Sequence, residues 1–290
     1  MTTLQINDRS FACPSNWAEL KWSQFITLKN FAERCENRSI LPNQPKESLQ
    51  DDIDSEQMEN EILYLFCGVD RKTILRVEPD DRKRFVACLI QRFIDPLTHT
   101  SAVADEKRNL AEEKKWMGKS RWDGYKFLSG DEWLHFPRYG RDYENEIVPL
   151  DNVSAAQWCE ATDLYLEDKW KYAPVIAAVL CKGEENDYAE KLVRNRAEGM
   201  KSLDMEKIFS LFVALNDAHK RMMELYPDCY APKNVSNEIA RNTTFFSWNE
   251  LLLWTGHFRA DEIDRVRLMN CYDFMALVNG RIKSENRQIV

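Results

Sequence analysis

Two apolar runs stand out from an otherwise mixed pattern. Val175–Gly183 reads VIAAVLCKG, and its first part, Val175–Cys181, is the longest uncharged apolar run of the chain. Ile62–Gly68, ILYLFCG, is a segment of the same kind in the first third. The same order of elements surrounds each. Two short strand-like pieces come first and end in proline. A helix carrying Gln followed by an aromatic residue comes next. The apolar run with its Cys and Gly follows, then an acidic stretch and a second amphipathic helix. The first pair of strands is predicted over Leu4–Pro14 (LQI-NDRS-FAC-P), around a four-residue polar turn. Lys126–Pro137 (KFL-SGDE-WLHF-P) repeats it, with four residues again between Leu128 and Trp133. Asn16 with Glu19, and Ser154 with Gln157, have capping-box spacing. The first makes Trp17–Leu20 a helical turn ahead of a helix over Trp22–Phe31. The second opens a helix with the stripe Trp158, Ala161, Leu164 and Tyr165. Gln24-Phe25 thus answers to Gln157-Trp158.

The remaining pattern is predominantly helical. Glu61–Cys67 reads as a buried helix closed by Gly68 at its C′ position. Pro79 starts another, with Asp80 and Asp81 at the positive dipole end and the stripe Phe85, Cys88, Leu89 and Phe93. Pro96 stops it. Met205–Met223 has the clearest period, through Met205, Ile208, Phe209, Phe212, Leu215, His219, Met222 and Met223. Phe245–Trp254 (FFSWNELLLW) is apolar over most of its circumference. Asp261–Val278 is expected as one last helix, with Ile263, Val266, Asn270, Phe274, Leu277 and Val278 on one face, Gly280 as its cap and a polar tail after it. Cys35–Asn60 is polar, contains Pro42 and Pro45, and reads as an exposed loop. Ala102–Met117 is charged nearly all round and is either a solvated connecting helix or a flexible linker. The expected fold is therefore mostly α with two small β-hairpins. Two related hairpin-plus-helices halves, 1–100 and 127–226, flank a charged connector, 101–126, and a C-terminal helical part, 227–290, follows.

Composition narrows the chemistry. An apolar content of 44% over 290 residues supports a real core. A net charge of −8 argues against a general nucleic-acid binder, which carries a basic footprint. The eight Cys (13, 35, 67, 88, 159, 181, 229, 271) show no CxxC pair. Five lie in or beside apolar stripes, and all read as reduced thiols of a cytosolic protein. The N-terminus lacks a basic region followed by an apolar run, so no signal peptide is expected. No apolar run approaches the roughly 20 residues that span a bilayer. GxGxxG, GxxxxGK[ST] and GxSxG are absent, and the four His (99, 135, 219, 257) lie far apart. No catalytic residue, metal site or cofactor is assigned. Glu184–Asp187 lacks the glycine and alternating ligands of a calcium loop and reads as a solvated loop. Lys107–Arg121, with Trp116 and Trp122 nearby, could stack on single-stranded nucleic acid. Glu106, Glu112, Glu113 and Asp123 neutralise much of that charge, and a solvated helix is the simpler reading. The candidate protein-binding residues are Phe245, Phe246, Trp248, Leu252 and Trp254, with Phe274 on the last helix, because Trp and Phe are frequent interface anchors. The alternative is that the last helix itself covers these rings.

The order of features resembles a family of phage proteins. It begins with a hairpin and Pro-x-x-Trp-x-Glu-Leu-x-x-x-Gln-aromatic, here Pro14, Trp17, Glu19, Leu20, Gln24 and Phe25. It continues with a Tyr…Arg-Ala stretch before a Phe-rich helix, here Tyr188, Arg196-Ala197, Phe209 and Phe212. It closes with an aromatic-Trp helix, Phe246-Ser247-Trp248, and a last amphipathic helix, Asp261–Val278. Tail assembly chaperones and structural proteins of small tailed phages, including those of gut Bacteroidetes, are similar in this order. The similarity spans most of the chain, apart from a long insertion over Asn37–Asn60 and the charged Ala102–Met117 connector. It implies a non-enzymatic morphogenesis protein that binds a tape-measure or other tail protein in the host cytoplasm, without membrane or nucleic acid. Self-association is left open. The alternatives are a permanent virion subunit of the neck or tail and, third, a nucleic-acid-associated protein or enzyme.

Overall fold

The structure is a computed structural model that describes residues 2–6, 9–40, 49–68, 71–95, 126–129, 132–142, 144–183, 190–230 and 247–287. The fold is mostly helical, and the two expected hairpins are present. Contacts divide the chain into two compact units. One is Met1–Trp116 with Lys201–Lys207, the other Met117–Met200 with Ile208–Val290.

In the first unit, β1 (Thr2–Ile6) pairs antiparallel with β2 (Arg9–Cys13). Ile6 lies opposite Arg9, which leaves two residues between the strands and not the expected four. Four helices follow: α1 (Trp22–Ile40), α2 (Leu49–Cys67), α3 (Arg71–Ile74) and α4 (Pro79–Phe93). The expected loop over Cys35–Asn60 is thus helical at both ends, and Pro42 and Pro45 lie outside the described residues. Leu20, Phe25, Leu28, Ile62, Leu63, Leu89 and Phe93 form the core. Trp17 meets Phe25 and Phe93 edge-on, at 6.2 and 5.2 Å between ring centroids. The buried stripe of α4 is Arg82, Val86, Leu89 and Phe93, whereas Cys88 is exposed. Arg82 takes an inward place because its guanidinium donates to Asn60 Oδ1 and Glu56 Oε1 of α2, each at 2.9 Å. A buried charge needs such partners. Gly68 closes α2 at φ +62°, a conformation open to glycine without strain.

In the second unit, β3 (Lys126–Ser129) pairs with β4 (Glu132–His135), again with two residues between Ser129 and Glu132. β7 (Lys182–Gly183) adds to the edge of β4. A third antiparallel pair, β5 (Tyr139–Arg141) with β6 (Ile147–Pro149), was not anticipated from the sequence. Asp142 organises its turn by accepting the backbone N–H of Glu144 and of Glu146, each at 2.9 Å. The helices are α5 (Ala155–Asp168), α6 (Ala173–Leu180), α7 (Glu190–Met200), α8 (Met205–Leu225), α9 (Trp248–Thr255), α10 (Ala260–Leu268) and α11 (Cys271–Arg287). The first residues of α8 belong to the first unit. Ile176–Cys181 is wholly enclosed, which its lack of charge permits without cost. Arg196 of α7 is buried and ion-paired with Glu132 of β4. Gly183 makes room for that pair, since a Cβ there would stand 2.0 Å from Glu132 Oε1 and 2.8 Å from Arg196 Nη2.

The single helix expected over Asp261–Val278 is two. It breaks at Met269-Asn270 because Asn270 caps α11, its Oδ1 accepting the N–H of Tyr272 at 2.8 Å. Gly280 lies inside α11 and does not end it. Ala102–Met117 and Glu184–Asp187 lie outside the described residues.

One junction occurs in both units. Gln24 Oε1 accepts from Lys21 N at 2.8 Å, and its Nε2 donates to Leu65 O at 2.7 Å. Gln157 Oε1 accepts from Ser154 N at 3.2 Å, and its Nε2 donates to Val179 O at 2.6 Å. Leu65 and Val179 each lie two residues before the Cys of their apolar run. Lys21 also forms an isolated antiparallel bridge with Asp204, and Ser154 with Asn270. The flanking bonds match residue for residue. Trp22 N donates to Leu203 O and Met205 N to Leu20 O, while Ala155 N donates to Met269 O and Cys271 N to Val153 O. Asp204 and Asn270 then both cap the helix that follows.

Candidate partner-binding surfaces

The C-terminal aromatic segment is held against α5. Ser247 starts α9, its Oγ accepting the N–H of Glu250 at 3.1 Å. This Ser-x-x-Glu signal is legible in the sequence. The Asp163 carboxylate of α5 accepts from Trp248 N (2.9 Å), Asn249 N (3.2 Å) and Asn249 Nδ2 (2.9 Å). A carboxylate at a helix N-terminus also meets the positive dipole end. Trp248 then packs edge-on to the enclosed Trp158 at 4.6 Å, with His219 at 5.9 Å and Tyr230 at 5.6 Å.

The six proposed binding residues therefore part company. Leu252 and Phe274 are buried in the core, and Trp248 is inside the ring cluster. Trp254 is half-buried at the margin, where the Arg281 guanidinium lies 5.6 Å over its ring and donates to its carbonyl at 3.2 Å. Phe245 and Phe246 lie outside the described residues. α9, α10 and α11 all pack on α5, and Leu252 and Phe274 are covered within the chain.

Polar groups in this layer carry the marks of burial. Trp158 Nε1 and Tyr230 Oη have no hydrogen-bond partner. Burial pushes the Tyr230 phenol far up and lowers the His219 imidazole. Burial likewise raises the thiols of Cys159, Cys181 and Cys271, the direction of inert cysteines. Among the described residues, no three His, Cys, Asp or Glu side chains stand close enough to hold a metal ion, and no helix is long and apolar enough to cross a membrane.

An open surface lies elsewhere, on α2 and α3. Gln57, Asn60, Glu61 and Tyr64 share one face of α2, at spacings of three and four residues. With Ile74 and Leu75 they line a groove of about 480 Å³. Ile74 forms its floor, packed on Leu63. Tyr64 and Leu75 stand at its sides, 58% and 64% exposed. An exposed tyrosine and leucine flank an apolar floor that is rimmed by amides and a carboxylate. Sequence reasoning missed it because Tyr64 lies within an apolar run assigned to the core. The polar residues at 57, 60 and 61 on the same helical face were the available signal.

Compared with family models, with curated proteins and with solved structures, the chain matches none. What the fold itself defines is a mostly helical protein carrying small antiparallel hairpins.

Proposed function

We propose that the chain is a non-enzymatic phage morphogenesis protein, a tail assembly chaperone that holds a tape-measure or other tail protein in the host cytoplasm. The observation that carries the reading is the groove between Tyr64 and Leu75. Long tail proteins present amphipathic helices, and an aromatic-aliphatic groove with a polar rim receives such a helix while staying soluble when empty. The feature order that resembles the phage chaperones supports the same assignment. The test is capture of the tagged chain from infected cells, with bound proteins identified by mass spectrometry. A tail protein should co-purify with the wild type and be lost with Tyr64→Asp or Leu75→Asp, both at exposed positions, at an unchanged melting midpoint. Equal capture by the variants overturns the groove. Recovery of the chain in purified particles replaces the chaperone with a permanent neck or tail subunit.

We also infer that the two hairpin-plus-helices halves, 1–100 and 127–226, descend from one duplicated segment. The matched glutamine bonds, each made within its own half, support this. Gln24→Glu and Gln157→Glu should then show pH dependences of the same sign. Opposite signs would separate the two junctions.

A further inference from the structure

We propose that Cys13 and Cys67 form a reversible intramolecular cross-link, a modification site at which a small-molecule disulfide such as oxidised glutathione ties the first hairpin to the end of α2. Cys13 is the last residue of β2 and is 3% exposed. Cys67 is the last residue of α2 and half-buried. Their Sγ atoms are 2.9 Å apart across 54 residues of chain, in direct contact. All eight cysteines are thiols in the structure. Pairing the two sulfurs closes them from 2.9 Å to about 2 Å, a short approach between side chains already in contact.

The junction is special to the first unit. Cys67 and Cys181 hold equivalent places at the ends of the two apolar runs. Cys13 precedes Pro14, whereas the residue before Pro137 is Phe136. The second unit thus keeps the cysteine and lacks its partner. The exposures also fix an order of events. An oxidant reaches half-buried Cys67 before enclosed Cys13. The Cys67 sulfur gives up its proton and attacks one sulfur of oxidised glutathione, and one molecule of glutathione leaves as its thiol. The Cys13 sulfur, already in contact, gives up its proton and attacks Cys67 Sγ, and the second glutathione leaves. Two protein thiols are oxidised to one disulfide, and one glutathione disulfide is reduced to two thiols. The bond from Cys13 and then burial push the Cys67 thiol up, so the exchange is slow and its product is held by geometry and not by reactivity.

The experiment uses the full chain, reduced and then incubated with oxidised glutathione. Remaining thiols are alkylated, and the protein is cleaved and mapped by mass spectrometry without reductant. The expected result is a Cys13–Cys67 linked peptide, reversed by dithiothreitol, with a melting midpoint raised by at least about 4 °C because the closed loop is long. In Cys13→Ser, which keeps the side-chain size, Cys67 should stop at a glutathione adduct. A wild-type protein in which Cys67 also stops at the adduct, or in which neither cysteine reacts while Cys35 and Cys88 do, overturns the proposal. So does a linked peptide that forms equally in denaturant, since the contact would then not direct it.

Discussion

Gln157→Glu isolates the bond on which the second unit turns. In the native protein the buried Gln157 amide donates to Val179 O at 2.6 Å, and its oxygen accepts from Ser154 N and Ser154 Oγ at 3.2 and 3.1 Å. Glutamate keeps the acceptor and removes the donor. Ionised, it aims a carboxylate at a carbonyl that no water reaches. A lost hydrogen bond removes about 1 kcal/mol, and an unsatisfied buried acceptor costs about 1–3 kcal/mol more. A loss of about 3 kcal/mol near neutral pH is the central expectation. Protonated, the acid can donate to Val179 O, and most of that loss returns. Three kcal/mol between the two protonation states corresponds to about two pKa units, which places the folded-state value near 6 against an unfolded value of about 4.3. The folded state then binds more protons in that interval. The regained stability is fully present below the unfolded pKa and disappears as pH rises through the folded one. The assay is urea unfolding of wild type and variant from about pH 4 to about pH 8. Hydrogen exchange at the Trp158 amide, which bonds Ser154 O, assigns the effect to this unit. A variant that follows the wild-type pH profile, or a Gln157→Ala protein within about 0.5 kcal/mol of wild type, would show that the amide does not hold the apolar run in place.

Leu180→Ala, at a fully enclosed position of α6, should cost about 2–5 kcal/mol in thermal or urea unfolding, and an unmoved midpoint would remove this run from the core. Alkylation of the reduced, folded protein should label exposed Cys35 and Cys88 quickly and Cys159, Cys181 and Cys271 only on unfolding; equal rates for Cys181 and Cys88 would contradict the packing. Burial lowers the His219 pKa below its ordinary 6.5, so stability present above that value should decline as pH falls through the folded-state pKa. His219→Phe should flatten that decline, and an identical slope in the variant would show that the ring does not titrate against the fold.

Hairpins, helix starts and the enclosed run were legible because their signals are local. Ser154 and Gln157 stand at capping-box spacing, and both bonds of the box form. Gly68 closes a helix because few other residues accept its φ. The break at Asn270 was not legible. Its apolar neighbours keep helical spacing on either side, and only the bridge to Ser154, far away in sequence, makes Asn270 a cap. Arg82 was assigned no inward role because its partners, Glu56 and Asn60, lie in a stretch read as a loop. For the binding surface the difficulty ran the other way. Apolar character identifies what leaves water and does not say whether the cover is the chain or a partner. Leu252 and Phe274 are covered by their own chain, and Tyr64, inside a core-like run, is not.

The assignment of Lys201–Lys207 to the first unit bears on how the protein is made. Leu20 O and Trp22 N find their partners in Met205 and Leu203. When the ribosome has delivered the last residue of the unit's main stretch, Trp116, these groups still face water. About 90 further residues must be added before the closing segment exists. At roughly 5–20 residues per second, the first unit waits about 5–20 s, unfinished, with its apolar run already synthesised. For that interval the nascent chain presents its own exposed surface to the cell. Completion is a late event, timed by translation of residues from the opposite side of the sequence. A stop codon placed between 117 and 200 would therefore leave a first unit that lacks its closure, however complete its helices look on paper.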